Sequence, residues 1–130
     1  MVFINRGKDG RDTVYSRCVA HIQRYDTRIV FFPEGTRNNY SSLDSEDDLR
    51  KYIKFGLLKS IYQDKVYPVQ IQISNNKERA FNEKKMSVGF GVPINTRISK
   101  PIHPKDFSTD TEFFNEIIRV WYDCYTPLHI

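Results

Sequence analysis

The stretch Phe31-Phe32-Pro33-Glu34-Gly35-Thr36-Arg37 gathers a carboxylate, a hydroxyl and a guanidinium within four residues of a proline stop. An apolar run that ends this way delivers polar side chains to the carboxyl end of a strand, where open parallel sheets bind their ligands. Gly35 lets the backbone approach a ligand closely. Arg37 carries a planar fork that matches phosphate oxygens. Arg6 stands at the end of another apolar run, Val2-Phe3-Ile4, so the two guanidiniums can converge on one phosphate. The candidate substrate-binding residues are Arg6, Glu34, Gly35, Thr36 and Arg37.

Other reactive residue types are sparse. His21 and Asp26 lie five residues apart, and a histidine oriented by a carboxylate could serve as a general base if the two side chains met. On a helix, however, positions five apart point about 140° from each other, so the pair is not expected to be catalytic and His21 is expected as a helix-surface or interhelical histidine. Cys18 and Cys124 match no redox or metal spacing and are expected as reduced thiols, and three scattered histidines make a zinc site improbable. Gly7-Lys8-Asp9-Gly10 is not a phosphate-binding Walker loop, and Gly89-Phe90-Gly91 reads as strand irregularity. Asn39-Tyr40-Ser41 is a glycosylation sequon, expected to be idle without a secretory signal.

The elements that must position these residues can be read from periodicity. Residues 2–4 and 28–32 are expected as buried strands, with a helix between them that Asp12 caps and that runs to about Tyr25, carrying Tyr15, Cys18, Val19 and Ile22 on one face. Strand, helix and strand in about thirty residues is the pattern of a βαβ unit and a parallel sheet. Asn38 to Asp48 is an acidic loop leading into a helix through Leu49, Ile53, Leu57, Leu58 and Ile61, with Gly56 as a weak point. Residues 66–74 alternate as a strand with Tyr67, Val69, Ile71 and Ile73 on its apolar face, and residues 86–94 form another. Thr109 or Asp110 caps a last helix that buries Phe113, Phe114, Ile117, Ile118, Trp121 and Tyr125. The expectation is an α/β sandwich of four strands and three helices, in one domain over residues 1–130.

Three blocks of this sequence resemble, in order and spacing, those of the glycerolipid acyltransferases, the 1-acylglycerol-3-phosphate acyltransferase family. Phe32-Pro33-Glu34-Gly35-Thr36-Arg37 is similar to the family's third block. Val2-Phe3-Ile4-Asn5-Arg6 resembles the second, whose strand end supplies a phosphate-binding arginine, and Tyr67-Pro68-Val69-Gln70-Ile71 resembles the fourth. Between them, Lys54-Phe55-Gly56-Leu57-Leu58-Lys59 loosely resembles the family's helix of aromatic, Lys and Gly residues, and Gly91-Val92-Pro93-Ile94 its closing strand.

The resemblance implies a glycerol-phosphate acyltransferase-like mixed sheet flanked by helices, incomplete at its N-terminus. It also implies acyl transfer from acyl-CoA, as co-substrate, to a lysophosphatidate-like glycerol phosphate in phospholipid synthesis, with no metal or bound cofactor. Arg6 and Arg37 would hold the acceptor phosphate, Glu34 and Gly35 would shape the turn, and Tyr67-Pro68-Val69 would back the site. The family's first block, a His-x-x-x-x-Asp pair that takes the acceptor's proton, belongs upstream of the second block. This chain opens inside the second block, so no catalytic residue is assigned and the chain alone is expected to be inactive.

Composition narrows the partners. Apolar residues at 39 % and aromatics at 14 % support a packed core and exclude a disordered, collagen-like or coiled-coil chain. No apolar run approaches the roughly 20 residues that span a bilayer. The net charge of +4 is segregated: residues 49–105 hold 12 basic side chains against 3 acidic, while residues 106–130 hold 1 against 5. A basic middle calls for an anionic partner. The alternative function is accordingly a non-catalytic relic that binds anionic lipid surfaces or a protein partner. No nucleic-acid-binding motif accompanies the basic charge, so nucleic acid is not expected as a partner. The expected location is intracellular, at a membrane surface as in the full-length family, without a transmembrane segment in this chain.

Overall fold

The computed structural model describes residues 10–26, 28–34, 43–65, 67–82 and 85–128. The expected strand at residues 2–4, the sequon and four of the candidate site residues, Arg6, Gly35, Thr36 and Arg37, lie outside them. Helices α1 (Arg11–Tyr25), α2 (Glu46–Arg50) and α3 (Gly56–Asp64) are followed by strand β1 (Gln72–Ser74) and the single turn α4 (Lys77–Ala80). The chain continues through β2 (Phe81–Asn82), β3 (Ser87–Val88) and β4 (Thr96–Ile98) to the long helix α5 (Asp110–Tyr125). Helices combined with small sheets make the chain α/β in the coarse sense.

The last helix organises the core, and its sequence explains why. Thr109 is extended and its hydroxyl accepts the backbone N–H of Glu112 at 3.2 Å, while the Glu112 carboxylate accepts from the Ser108 amide at 3.1 Å. This reciprocal arrangement satisfies donors that the first turn would otherwise leave unpaired. Phe113, Ile117, Ile118, Trp121 and Tyr125 recur at helical spacing and are all buried. Leu49 of α2, Leu58, Ile61 and Tyr62 of α3, and Ile71 and Ile102 complete the same cluster. Tyr62 donates its hydroxyl to the Phe107 carbonyl at 3.1 Å, and Tyr122 donates to the Leu43 carbonyl at 3.3 Å, so each ring fixes a loop as well as filling space. On the outer face of α5, Arg119 donates to Glu116 at 2.9 Å and to Asp123 at 2.7 Å. The hydrogen bond and positive charge of Arg119 lower the Glu116 carboxyl from its ordinary value.

Helix α1 covers the range its periodicity predicts, but Gly10 is its N-cap and makes no side-chain capping bond, so Asp12 lies inside the helix. Asp26 ends it in the left-handed region, at φ 47°, a conformation that aspartate tolerates better than most residues. The helix expected from residue 46 to 61, with Gly56 as its weak point, is two helices. Gly56 starts the second of them, where it is needed for a different reason: a Cβ there would run into the ring of Tyr15 on α1. Gln23 of α1 also donates to Asp64 of α3 at 2.7 Å, so the two helices are joined at both ends of their contact.

The sheets depart most from expectation. Both strand pairs among the described residues are antiparallel: β1 with β4, matching Gln72 to Ile98 and Ser74 to Thr96, and β2 with β3, matching Phe81 to Val88. The alternation expected over residues 67–73 is present, with Ile71 buried, Tyr67, Val69 and Ile73 half-buried, and Pro68, Gln70 and Gln72 exposed. Val69 and Ile102 exchange both backbone hydrogen bonds, at 2.9 and 2.8 Å, and Ser99 donates to the Ile71 carbonyl at 2.9 Å. From Val69 to Ile71 is two residues, whereas from Ile102 to Ser99 is three. The extra residue falls beside Pro101, which has no N–H to contribute, and the ladder is interrupted there.

The buried strand expected over residues 28–32 is not formed. The segment is not a strand and has no ladder partner among the described residues; Phe31 packs against the core, whereas Val30 is 84 % and Phe32 77 % exposed. A run that is apolar on both sides needs neighbours on both sides, and the described residues cover one. The strand expected over residues 86–94 shrinks to Ser87–Val88. Gly91 adopts φ 67° and Pro93 cannot donate, so the strand ends early, and the next one, β4, which periodicity did not indicate, belongs to the other sheet.

Candidate functional site

The turn that opens the third block is held by its neighbour in the fold. Pro33 and Glu34 form a turn, both half-buried, and the Pro33 carbonyl accepts the backbone N–H of Lys54 at 2.8 Å. That bond sets the carboxylate-bearing turn beside Lys54-Phe55-Gly56, where α3 begins. Phe31 before the turn, Phe55 and Leu57 at the start of α3, and Val69 in the fourth block all pack on the α5-centred core. Three separate stretches of sequence are thereby anchored on one core. Phe55 stacks on Phe114 of α5 with ring centroids 4.7 Å apart, which makes this end of α3 a firm support for the turn.

Of the five candidate substrate-binding residues, the structure describes Glu34 alone. The contact with Lys54 was not legible as part of a site. The sequence signal is the Lys-Phe-Gly run, expected inside a helix, whereas Lys54 precedes α3 and meets the turn through its backbone N–H. The first turn of α3 holds no acidic side chain, so nothing on that helix offsets its positive end.

The residues set aside on sequence grounds have other occupations. His21 is half-buried on α1 with its ring 4.8 Å from that of Tyr25, and the Arg24 guanidinium lies 5.2 Å from the same Tyr25 ring. Asp26 is exposed beyond the helix end. Cys18 and Cys124 are buried, unpaired thiols, and burial pushes both up from the ordinary thiol range. Among the described residues, no three His, Cys, Asp or Glu side chains gather as a metal site. An open depression of about 490 Å³ on α1 is lined by Thr13, Ser16, Arg17 and Ala20, none of which belongs to the motif blocks. No family model, curated protein or solved structure significantly matches the chain.

Proposed function

We propose that this chain is the acceptor-binding part of a glycerol-phosphate acyltransferase-like domain, serving transfer of an acyl group from acyl-CoA to a lysophosphatidate-like glycerol phosphate at a membrane surface. The supporting observation is the ordered set of blocks ending in Arg6, in Glu34-Gly35-Thr36-Arg37 and in Tyr67-Pro68-Val69-Gln70-Ile71. The Pro33–Lys54 bond, which ties the third block to the Lys-Phe-Gly run at the start of α3, fits this reading. Arg6 and Arg37 hold the acceptor phosphate through charge-assisted, forked hydrogen bonds, and Glu34 and Gly35 shape the turn that presents Arg37. The hydroxyl of the bound acceptor then attacks the thioester carbonyl, its proton passing to a histidine of the kind the family's first block supplies; the new ester C–O bond forms as the C–S bond breaks, and the departing CoA thiolate takes the proton from that histidine. None of the residues assigned here takes that proton, so this chain by itself binds acceptor without turning it over. No metal or bound cofactor is part of the proposal.

Acyl transfer to lysophosphatidate tests it, measured for the chain alone and for a fusion that adds a His-x-x-x-x-Asp block ahead of Met1. The chain alone gives background rates and the fusion gives turnover. Arg37→Ala in the fusion lowers kcat/KM for the phosphate-bearing acceptor about ten- to a hundredfold, since one such bond is worth roughly 1.5–3 kcal/mol. Arg37→Lys recovers only part of it, because a point charge does not reproduce the fork. Unaltered acceptor kinetics, or an equal loss on acceptors without the phosphate, would demote the turn to a structural one. Turnover by the chain alone that His21→Ala abolishes would place the proton acceptor on α1.

A further inference from the structure

We infer that the β2–β3 hairpin is a membrane-contacting element that seats its apolar side chains in the interface of an anionic bilayer. It rests on the membrane-surface part of the proposed function but not on acyl transfer. Phe81 and Val88 are directly opposite in the hairpin register and so share one face. Val88 is 61 % exposed, Met86 in the turn 77 %, and Phe90 just beyond the second strand 93 %. Four large apolar side chains within ten residues are thus left in contact with water, an arrangement that marks an interaction surface. The hairpin is well built despite its shortness. Lys85 donates its backbone N–H to the Asn82 side chain at 3.0 Å, and the Gly89 amide donates to the Ala80 carbonyl at 2.8 Å. A Cβ at Gly89 would strike the Arg79 carbonyl, so that close approach depends on glycine.

The charge around the hairpin selects the occupant. Residues 77–85 carry four basic and two acidic side chains, and Arg79 and Lys85 are exposed. Apolar side chains flanked by cations suit the headgroup region of a bilayer with anionic lipids, where the rings sit at the acyl boundary and the lysines meet phosphate. A second copy of this chain fits poorly, because symmetric pairing would bring the same basic hairpins together. No described helix is long and apolar enough to cross a membrane.

Co-sedimentation with vesicles of phosphatidylserine and phosphatidylcholine, at about 3:7, tests the inference, with pure phosphatidylcholine as reference. The chain partitions onto the anionic vesicles, and less so as salt rises. The double variant Phe90→Ser with Met86→Ser lowers the partition coefficient at least about tenfold. Lys85→Gln lowers it about fivefold. Both variants keep the thermal transition of the parent, because these side chains support no core. Arg37→Ala leaves vesicle binding within about twofold, whereas it weakens lysophosphatidate binding, so failure of the hairpin and failure of the phosphate grip are told apart. Absence of binding to the anionic vesicles, equal binding to the neutral ones, or unchanged binding by the double variant would each overturn the inference. So would a double variant that converts a dimer into a monomer in sedimentation without altering vesicle binding.

Discussion

The segment at residues 28–32 is apolar at four of its five positions and helix α5 at nine of its sixteen, yet the helix is the centre of the core and the segment stands half in water. In α5, Phe113 is 0 % exposed and its neighbours at helical spacing are buried with it. In the segment, Phe31 packs on the core while Val30 and Phe32 stay exposed on either side of it. The difference lies in what each conformation needs from elsewhere. An α-helix satisfies its backbone internally, and an amphipathic one needs cover for a single face. A strand needs a ladder partner, and one apolar on both sides needs cover twice. Apolar composition therefore tells where burial is wanted, and only the partners decide whether it is obtained.

The sharpest break of this comparison is a pair of phenylalanine truncations. Phe113→Ala should cost about 3–5 kcal/mol, through lost transfer energy and the cavity left among Tyr62, Phe107 and Phe114. That is a large share of the roughly 5–15 kcal/mol that holds a domain together. Phe32→Ser should change stability by less than about 0.5 kcal/mol. Denaturant unfolding of the two variants checks it, and a large loss from Phe32→Ser would mean that the segment is covered after all.

A smaller effect is expected at the contact of α1 with α3. Gly56→Ala adds a methyl group where the Tyr15 ring lies. Alanine is otherwise the better helix residue by roughly 0.5–1 kcal/mol. The variant should be destabilised by about 1 kcal/mol in the parent chain and should become neutral or stabilising when Tyr15 is also Ala. A double-mutant cycle measures that coupling. Additive effects would show that the two helices do not depend on this approach.

Local physics made much of the fold legible. Thr109 as cap, the apolar face of α5, the extent of α1 and the alternation over residues 67–73 all follow from interactions within a few residues in sequence. What escaped were choices made at a distance. Thr96 to Ile98 became a strand because Gln72 to Ser74 lay opposite. Pro101 interrupted the ladder that longer strands would have needed. Gly56 looked like a flaw inside a helix, and its reason is Tyr15, forty-one residues earlier. The site shows the same division: the turn at Pro33-Glu34 was legible from its residues, but its bond to Lys54 was not.

The most direct test of the functional account is calorimetric titration of a short-chain lysophosphatidate into the chain, beside its Arg37→Ala and Arg37→Lys variants. The account predicts saturable binding by the parent chain, weakened about ten- to a hundredfold in Arg37→Ala and partly retained in Arg37→Lys. A monoacylglycerol without the phosphate should bind all three equally weakly. Equal binding of lysophosphatidate by parent and Arg37→Ala, or equal binding of the acceptor with and without its phosphate, would contradict it.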